Sequence, residues 1–244
     1  MATNKPELMM EALMAFNRKE RYHLICEAVV GGQMQLNEGF RKSLEEKSGI
    51  KIPGDAFVAM DYHLDWISAA FQLAKHNTCL QAAAEDSEEF NNQPDGAAYP
   101  VLTGNQEDVD LLVAFPVDNK LYLILVEAKA DSGWTTKQLE SKSERLKAIL
   151  GGTVVDWIDP RLVLVGAPRR DNGAPNFAVD VVEQCPDWFF QGRDKSNGLP
   201  YMVMRPARQL YAPTRTNKVS EERKEYGNWR LNTVRGFAPE NNDE

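Results

Sequence analysis

The first third of the chain shows apolar residues at helical spacing. Between Glu7 and Val30 this pattern predicts one long helix that ends at Gly31. A second, shorter helix is predicted from Asn37 to Lys47, because a glycine at position 49 closes the pattern. A third and strongly apolar helix is predicted from Leu64 to Ala84. The beginning of the chain is therefore expected to be helical.

The middle of the chain changes to short apolar runs that are typical of strands. Asp110 to Phe115 and Leu121 to Ala130 flank a turn segment, which predicts a β-hairpin. If Asp118 and Asn119 form a two-residue turn, Asp110 lies directly opposite Glu127, with their Cβ atoms roughly 5 Å apart. The pattern then predicts three more elements: a helix over 132–150 and strands over 161–167 and 201–204.

The order strand, strand, helix, strand predicts an α/β fold with a mixed central sheet, flanked by helices and preceded by an N-terminal helical extension. We expect one domain over residues 1–239 and a disordered acidic tail over 240–244. Within the domain, residues 1–60 are the helical extension, 61–170 the core and 171–239 a basic extension.

Composition is that of an ordinary soluble globular protein. Of the 244 residues, 43% are hydrophobic and 26% are charged. No uncharged apolar run approaches the ~18 residues that a membrane span needs, and the N-terminus lacks the pattern of a signal peptide. We therefore expect a cytoplasmic protein without a membrane partner.

Cysteine and histidine do not indicate a zinc site. Cys26, Cys79 and Cys185 are far apart and form no paired motif, and the three histidines lack metal-ligand spacing. A metal site in this chain would therefore depend on oxygen ligands.

The formal net charge of −8 is unevenly distributed. Between Tyr201 and Arg235 there are eight basic and three acidic residues, interleaved with aromatic residues. Such a segment offers charge and stacking surfaces for a nucleic-acid strand, or it serves as a dimerisation arm. Both interpretations stay open at this stage, as does an ordinary solvated surface.

Two charged residues at the end of an apolar strand are the candidate chemistry. Glu127 and Lys129 lie two residues apart and so share one face of the strand. With Asp110 opposite, two carboxylates would repel each other unless a cation joined them. Oxygen ligands of this kind suit Mg²⁺, with Mn²⁺ as a substitute. The alternative is a buried structural ion pair between Glu127 and Lys129.

The arrangement of Asp110 followed by Glu127-Ala128-Lys129 resembles the motif of the PD-(D/E)xK, restriction-endonuclease-like nucleases. The resemblance covers roughly residues 60–170, and it departs from the motif at Val109, which stands where the family name has proline. In that superfamily the two strands are followed by a helix that often carries a glutamine facing the site, as Gln138 does in this sequence.

The resemblance implies a role for each matching residue. Asp110, Glu127 and the backbone carbonyl of Ala128 would hold the metal ion, Lys129 would assist the attacking water, and Gln138 would orient water or substrate. Asp108 is an alternative to Asp110. Asp65 loosely matches an acidic residue that the family places on an earlier helix, although helix capping explains it equally well.

The implied function is metal-dependent hydrolysis of phosphodiester bonds in DNA, in defence, repair or mobile-element processing. A homodimer or a partner protein would assist where both strands are cut. The alternative is a non-catalytic module that binds nucleic acid or protein on a nuclease-like fold.

Overall fold

The computed structural model describes most of the chain. Its described residues are 4–85, 89–93, 102–104, 107–129, 135–151, 156–166, 177, 179–191, 195, 198–204, 211–220 and 225–233. The predicted acidic tail at 240–244 lies outside these residues.

A mixed five-stranded sheet forms the centre of the fold, in the order β1-β2-β3-β4-β5. The first three strands are antiparallel, whereas β4 and β5 run parallel to β3. The strands are β1 (Phe57–His63), β2 (Asp108–Val117), β3 (Lys120–Lys129), β4 (Ile158–Gly166) and β5 (Tyr201–Val203). The predicted α/β class with a mixed sheet is therefore confirmed.

Helices surround this sheet. They are α1 (Lys5–Phe16), α2 (Glu20–Ile25), α3 (Glu38–Ser48), α4 (Leu64–His76), α5 (Leu80–Glu85), α6 (Thr136–Leu150) and α7 (Val179–Gln184). A π-helical turn (Cys26–Val30) follows α2, and a 3₁₀ turn (Asp187–Phe190) follows α7. Within the described residues no helix is both long enough and apolar enough to cross a lipid bilayer.

The sheet has an apolar core on each face. Helices α1, α4 and α6 contribute to one core, in which Leu123, Leu125 and Leu164 pack from the strands. Helix α3 contributes Leu44 to the other core, against Val126 and neighbouring strand residues. Because both faces are covered, the central strands are apolar throughout rather than alternating, as their sequence pattern indicated.

The hairpin of β2 and β3 has the predicted turn and register. Leu111 pairs with Val126 and Val117 pairs with Lys120, so the strands are joined by the two residues Asp118 and Asn119. Their φ angles of 49° and 64° place both in the left-handed region that a type I′ turn requires. Aspartate and asparagine tolerate this conformation better than most residues. The hairpin prediction is confirmed.

The prediction of one helix from Glu7 to Val30 is wrong. Helix α1 ends at Phe16, and Asn17 adopts an extended backbone. The Asn17 side chain accepts a hydrogen bond from the Lys19 amide at 3.3 Å, which offers the backbone a local alternative to the helix. Helix α2 starts after Lys19, and Gly31 ends the helical segment with a φ of 71°, as predicted.

The prediction of a continuous helix from Leu64 to Ala84 is also wrong. Helix α4 ends at His76, and the residue that caps it, Asn77, has a left-handed φ of 56°. The Asn77 amide donates to the Ala74 carbonyl, and the Thr78 amide donates to the Leu73 carbonyl at 2.9 Å. These two bonds cap the last turn as in a Schellman motif, and a separate short helix, α5, follows.

Strand β1 was not predicted, and it starts before the expected core boundary at residue 61. It pairs antiparallel with β2, from Phe57 opposite Ala114 to His63 opposite Asp108. The ladder is interrupted at Asp61, whose φ is 49°. This irregularity and the charged residue within a short strand conceal the alternating pattern that sequence reasoning uses.

A second, two-stranded sheet lies in the predicted basic extension. Strands β6 (Tyr211–Ser220) and β7 (Glu225–Thr233) pair antiparallel, and the described part of the hairpin packs mainly on itself. Its side chains Tyr211, Trp229 and Leu231 are exposed. The segment was not predicted to form strands, because its polar and basic sequence contains few buried positions.

Gly166 marks a close approach between strands. A Cβ atom at this position would lie 2.7 Å from the Tyr201 hydroxyl and 2.9 Å from the Lys129 carbonyl oxygen. We expect Gly166→Ala to lower the free energy of unfolding by about 1–3 kcal/mol, because the backbone must shift to accommodate the methyl group. Urea unfolding measures this loss.

Gly32→Ala is the matched control, because a Cβ atom there meets nothing within 4 Å. The close-approach explanation fails if the two variants unfold at the same urea concentration.

Candidate functional site

An open cavity of about 430 Å³ lies where the start of β2 meets the end of β3, beside helix α6. Its lining includes most of the predicted site residues. They are Asp108, Asp110, Glu127, Lys129 and Gln138, with Lys142 from α6 and Leu162 and Leu164 from β4 beside them. The structure therefore brings together in one cavity residues that are distant in sequence, such as Asp108 and Lys142, which are 34 positions apart.

Strand β3 positions Glu127 by simple alternation. Leu121, Leu123 and Leu125 all belong to the core on the α6 side of the sheet, and Glu127 continues this series by two residues. The apolar series thus directs a carboxylate into the space between the sheet and helix α6.

Glu127 is buried, with an exposed fraction of 7%. Its Oε1 atom lies 2.7 Å from the Lys142 Nζ atom in an ion pair that is itself largely buried. Burial raises the pKa of Glu127 to about 7, although Lys142 lowers it in part. The charge of Asp110 raises this pKa further and that of Lys129 lowers it. Glu127 is therefore a carboxyl group whose ionisation depends on nearby positive charge.

Asp110 lies at the solvent side of the same cavity. Its side chain is exposed, and its Oδ2 atom accepts a hydrogen bond from the Ala128 amide at 2.6 Å. This bond joins β2 to β3 beyond the last backbone pair, Leu111 with Val126. It holds the Asp110 carboxylate next to Glu127-Ala128-Lys129. The predicted role of the Ala128 carbonyl as a metal ligand stays a prediction.

Gln138 is positioned by the start of helix α6. Its backbone amide donates to the Thr135 hydroxyl, and its Oε1 atom accepts from the Thr135 amide, both at 3.3 Å. This reciprocal pair is a capping box, which fixes the beginning of the helix. The side chain still lines the cavity, and its Nε2 atom takes no part in the capping box.

Asp108 is directed toward the N-terminal helices. Its Oδ2 atom forms an ion pair of 2.8 Å with Lys19, and its Oδ1 atom lies 3.4 Å from the His63 Nε2 atom. Asp108 is held by Lys19, whereas Asp110 is held by the Ala128 amide, next to Glu127. This difference favours Asp110 over Asp108 as the acidic residue opposite Glu127.

Asp65 lies outside the cavity that contains Asp110 and Glu127. It occupies the first turn of α4 and forms an ion pair with Arg145 of helix α6. Its Oδ2 atom also accepts a hydrogen bond from the Gly104 amide at 3.1 Å. These contacts connect α4, α6 and the segment before β2, so the structure gives Asp65 a bridging position between elements.

Sequence reasoning underestimated Lys142 and Asp61. Lys142 follows Gln138 by one turn of α6, and it is the residue that contacts Glu127 and the Asp108 carbonyl oxygen. Asp61 falls opposite Asp110 in the β1–β2 register, between two paired positions. The spacing of four between Gln138 and Lys142 was the available signal for the first, and the position of Asp61 shortly before Asp65 was the signal for the second.

The residues of the cavity fit a magnesium ion. The described residues contain no group of three or more His, Cys, Asp and Glu side chains arranged to hold a metal. Magnesium, however, is commonly bound by one or two carboxylates, with waters and substrate phosphates completing its shell. Asp110 and Glu127 supply two carboxylates, and the largely desolvated Glu127 favours a nearby positive charge.

Comparison of the chain with protein-family models, curated proteins and solved structures found no match. The function is therefore inferred from the residues of the cavity and from the fold that positions them.

The raised pKa of Glu127 makes a prediction for stability against pH. A carboxyl group whose folded pKa exceeds its unfolded value stabilises the fold at low pH and loses that contribution as pH rises toward about 7. We expect Glu127→Gln to gain stability relative to the wild type between pH 5 and pH 8, by on the order of 2–3 kcal/mol.

Urea unfolding of both proteins in EDTA across this pH range measures the difference. Equal pH profiles would contradict the buried, proton-binding state of Glu127.

Loss of Lys142 makes a complementary prediction. Lys142→Ala removes the ammonium group that compensates the ionised Glu127, so we expect a loss of about 1–3 kcal/mol at pH 8. The loss should be smaller at pH 5, where Glu127 is protonated. Thermal unfolding at both pH values checks this, with Lys147→Ala on the exposed side of α6 as the control. A loss that is independent of pH would argue against the ion pair.

Proposed function

We propose that this protein is a metal-dependent nuclease of the PD-(D/E)xK type that hydrolyses phosphodiester bonds in DNA. One observation carries the proposal: Asp110, Glu127 and Lys129 line a single open cavity at the end of the β2–β3 hairpin that lies opposite its turn. The carboxylates are held by a backbone hydrogen bond and a buried ion pair, so their positions do not depend on flexible loops.

The arrangement of elements supports the same class. An antiparallel pair of strands carries the motif, the following helix α6 lies over the site, and β4 then returns parallel to β3. This is the order of elements that the resemblance to restriction-endonuclease-like nucleases implies. The acidic residue lies on one strand and the Glu-x-Lys segment ends the next.

The chemistry follows from the groups in the cavity. A magnesium ion held by Asp110 and Glu127 would supply a Lewis acid for a phosphodiester oxygen and lower the pKa of a bound water. Lys129, at the end of β3, would position the attacking water and offset the negative charge that builds on the phosphoryl group. The amide nitrogen of Gln138 would orient water or substrate from the first turn of α6.

Lys142 has a distinct part in this proposal. Its ammonium group compensates Glu127 at 2.7 Å, and it also donates to the Asp108 carbonyl oxygen. These two bonds keep the Glu127 carboxylate ionisable and aimed into the cavity. We therefore assign Lys142 as a positioning residue for Glu127.

DNA is the substrate that the resemblance implies, and the hairpin of β6 and β7 offers a surface for it. Arg215 pairs across the strands with Trp229, and both side chains are exposed. A cation beside an exposed indole ring suits a phosphate and a base of one strand. The overall charge of −8 argues that binding depends on such local surfaces, on a second copy, or on a partner protein.

A second candidate is a non-catalytic module that binds nucleic acid or protein. The observation that favours it is the ion pair between Glu127 and Lys142, which already compensates the buried carboxylate without a metal ion. Such a module would bind its partner without any effect of Mg²⁺ or Mn²⁺, and Lys129→Ala would change no activity.

A cleavage assay separates the two. The protein is incubated with supercoiled plasmid, linear duplex and single-stranded DNA in Mg²⁺, Mn²⁺ or EDTA. We expect metal-dependent cleavage that falls by at least about 100-fold in Asp110→Ala and Lys129→Ala, since each removes a group that acts on the reacting atoms. Circular dichroism establishes that the variants are folded.

Two exposed charges away from the cavity serve as matched controls, and Asp55→Ala and Lys42→Ala should cleave like the wild type. No cleavage under any condition, or cleavage that Asp110→Ala retains, would refute the nuclease proposal and favour the binding module.

A further inference from the structure

A second cavity, of about 560 Å³, borders the candidate site. Its wall is formed by the end of α1, the first half of α4 and the segment before β2. The lining includes Phe16, Arg18, His63, Trp66, Ala69 and Leu102. It thus combines aromatic rings with a cation, which the first cavity does not.

Trp66 is the largest stacking surface in this cavity. It is partly buried, and it makes a T-shaped contact with the Tyr62 ring, with 5.2 Å between the ring centroids. The His63 ring lies 4.7 Å from the Trp66 ring at an angle of 38°, and the Arg18 guanidinium lies 5.8 Å over it. The exposed Arg18 side chain can move to admit a planar group against the indole.

Arg18 lines the cavity, and two further cations are close to it in sequence. Arg18 and Lys19 lie on the connection between α1 and α2, where the predicted long helix is broken, and Arg21 lies in the first turn of α2. Lys19 is engaged with Asp108, whereas Arg18 and Arg21 are exposed, and Arg21 lies 3.9 Å from Asp61. A planar stacking surface beside exposed guanidinium groups suits an aromatic base attached to a phosphate.

The two cavities meet at the contact between Asp108 and His63. Asp108 lines the first cavity, His63 lines the second, and their side chains are 3.4 Å apart. Asp108 and Asp110 are two positions apart on β2, which corresponds to about 7 Å along the strand. The Trp66 ring follows the His63 ring at 4.7 Å, so a base stacked on Trp66 would lie next to the Asp108 end of the first cavity.

We propose that the Trp66 cavity binds the base of an unpaired nucleotide adjacent to the phosphate at Asp110. The position of that phosphate rests on the proposed nuclease function, but the base site itself is defined by Trp66, His63 and Arg18. A paired base cannot enter without leaving its duplex, and unpairing costs free energy. The preferred ligand is therefore single-stranded DNA or an unpaired end.

Binding measured without cleavage tests this inference. A short fluorescein-labelled oligothymidylate and the corresponding duplex are titrated with the full-length protein in EDTA at fixed ionic strength, using fluorescence anisotropy. We expect the wild type to bind the single strand more tightly than the duplex. Trp66→Leu should weaken single-strand binding by roughly 5- to 100-fold, the range expected for one stacked base.

Further variants keep the test independent of folding. Trp66→Phe retains a stacking ring and should stay within a few fold of the wild type. Arg18→Glu changes an exposed side chain and should weaken single-strand binding even if Trp66→Leu is unstable. Lys42→Glu makes the same charge change on α3, in the opposite core layer, and should bind like the wild type.

The outcomes also separate this inference from the nuclease proposal. Single-strand binding that depends on Trp66 and Arg18, with no cleavage in any metal, would support the base site and refute the nuclease. Metal-dependent cleavage with unchanged binding in Trp66→Leu and Arg18→Glu would overturn the base site alone. Equal weakening of single-strand and duplex binding would also overturn it.

Discussion

The burial of Glu127 is the constraint on which the candidate site depends. A carboxylate that ends an apolar strand loses its water, and this loss raises its pKa to about 7. The Lys142 ammonium at 2.7 Å offsets part of the penalty. This ion pair fixes helix α6 against the end of β3, and helix α6 in turn closes one wall of the cavity. The desolvation of Glu127 lowers the stability of the fold, and it also makes a nearby cation favourable for the ionised carboxylate.

The N-terminal helices connect this site to a second surface. Lys19, on the connection between α1 and α2, reaches Asp108 at the start of β2, and His63 at the end of β1 contacts the same carboxylate. The N-terminal helices are therefore more than a covering for the sheet, because the connection between α1 and α2 places Lys19 against Asp108 and Arg18 over the Trp66 ring. A site for phosphate chemistry and a site for a base would then share one wall.

Local patterns in the sequence predicted much of the fold. The register of β2 with β3 followed from the expectation that Asp118 and Asn119 form a two-residue turn between the apolar runs. The breaks at Asn17 and Asn77 did not, because asparagine side chains and left-handed caps end a helix without disturbing its apolar spacing. Strand β1 was hidden because Asp61 interrupts its ladder, and β6 and β7 because their faces are not buried.

The sequence by itself determined which residues are candidates for the chemistry. Asp110, Glu127 and Lys129 were singled out because charge at the end of an apolar strand is costly without a partner. It also indicated that Asp110 and Glu127 lie opposite each other, since a short hairpin is a local structure. Only the tertiary structure decided that Lys142 compensates Glu127, that Asp65 pairs with Arg145, and that His63 contacts both Asp108 and the Trp66 ring. These contacts join distant elements, and their formation depends on how helices pack on the sheet, which side-chain spacing within one element does not specify.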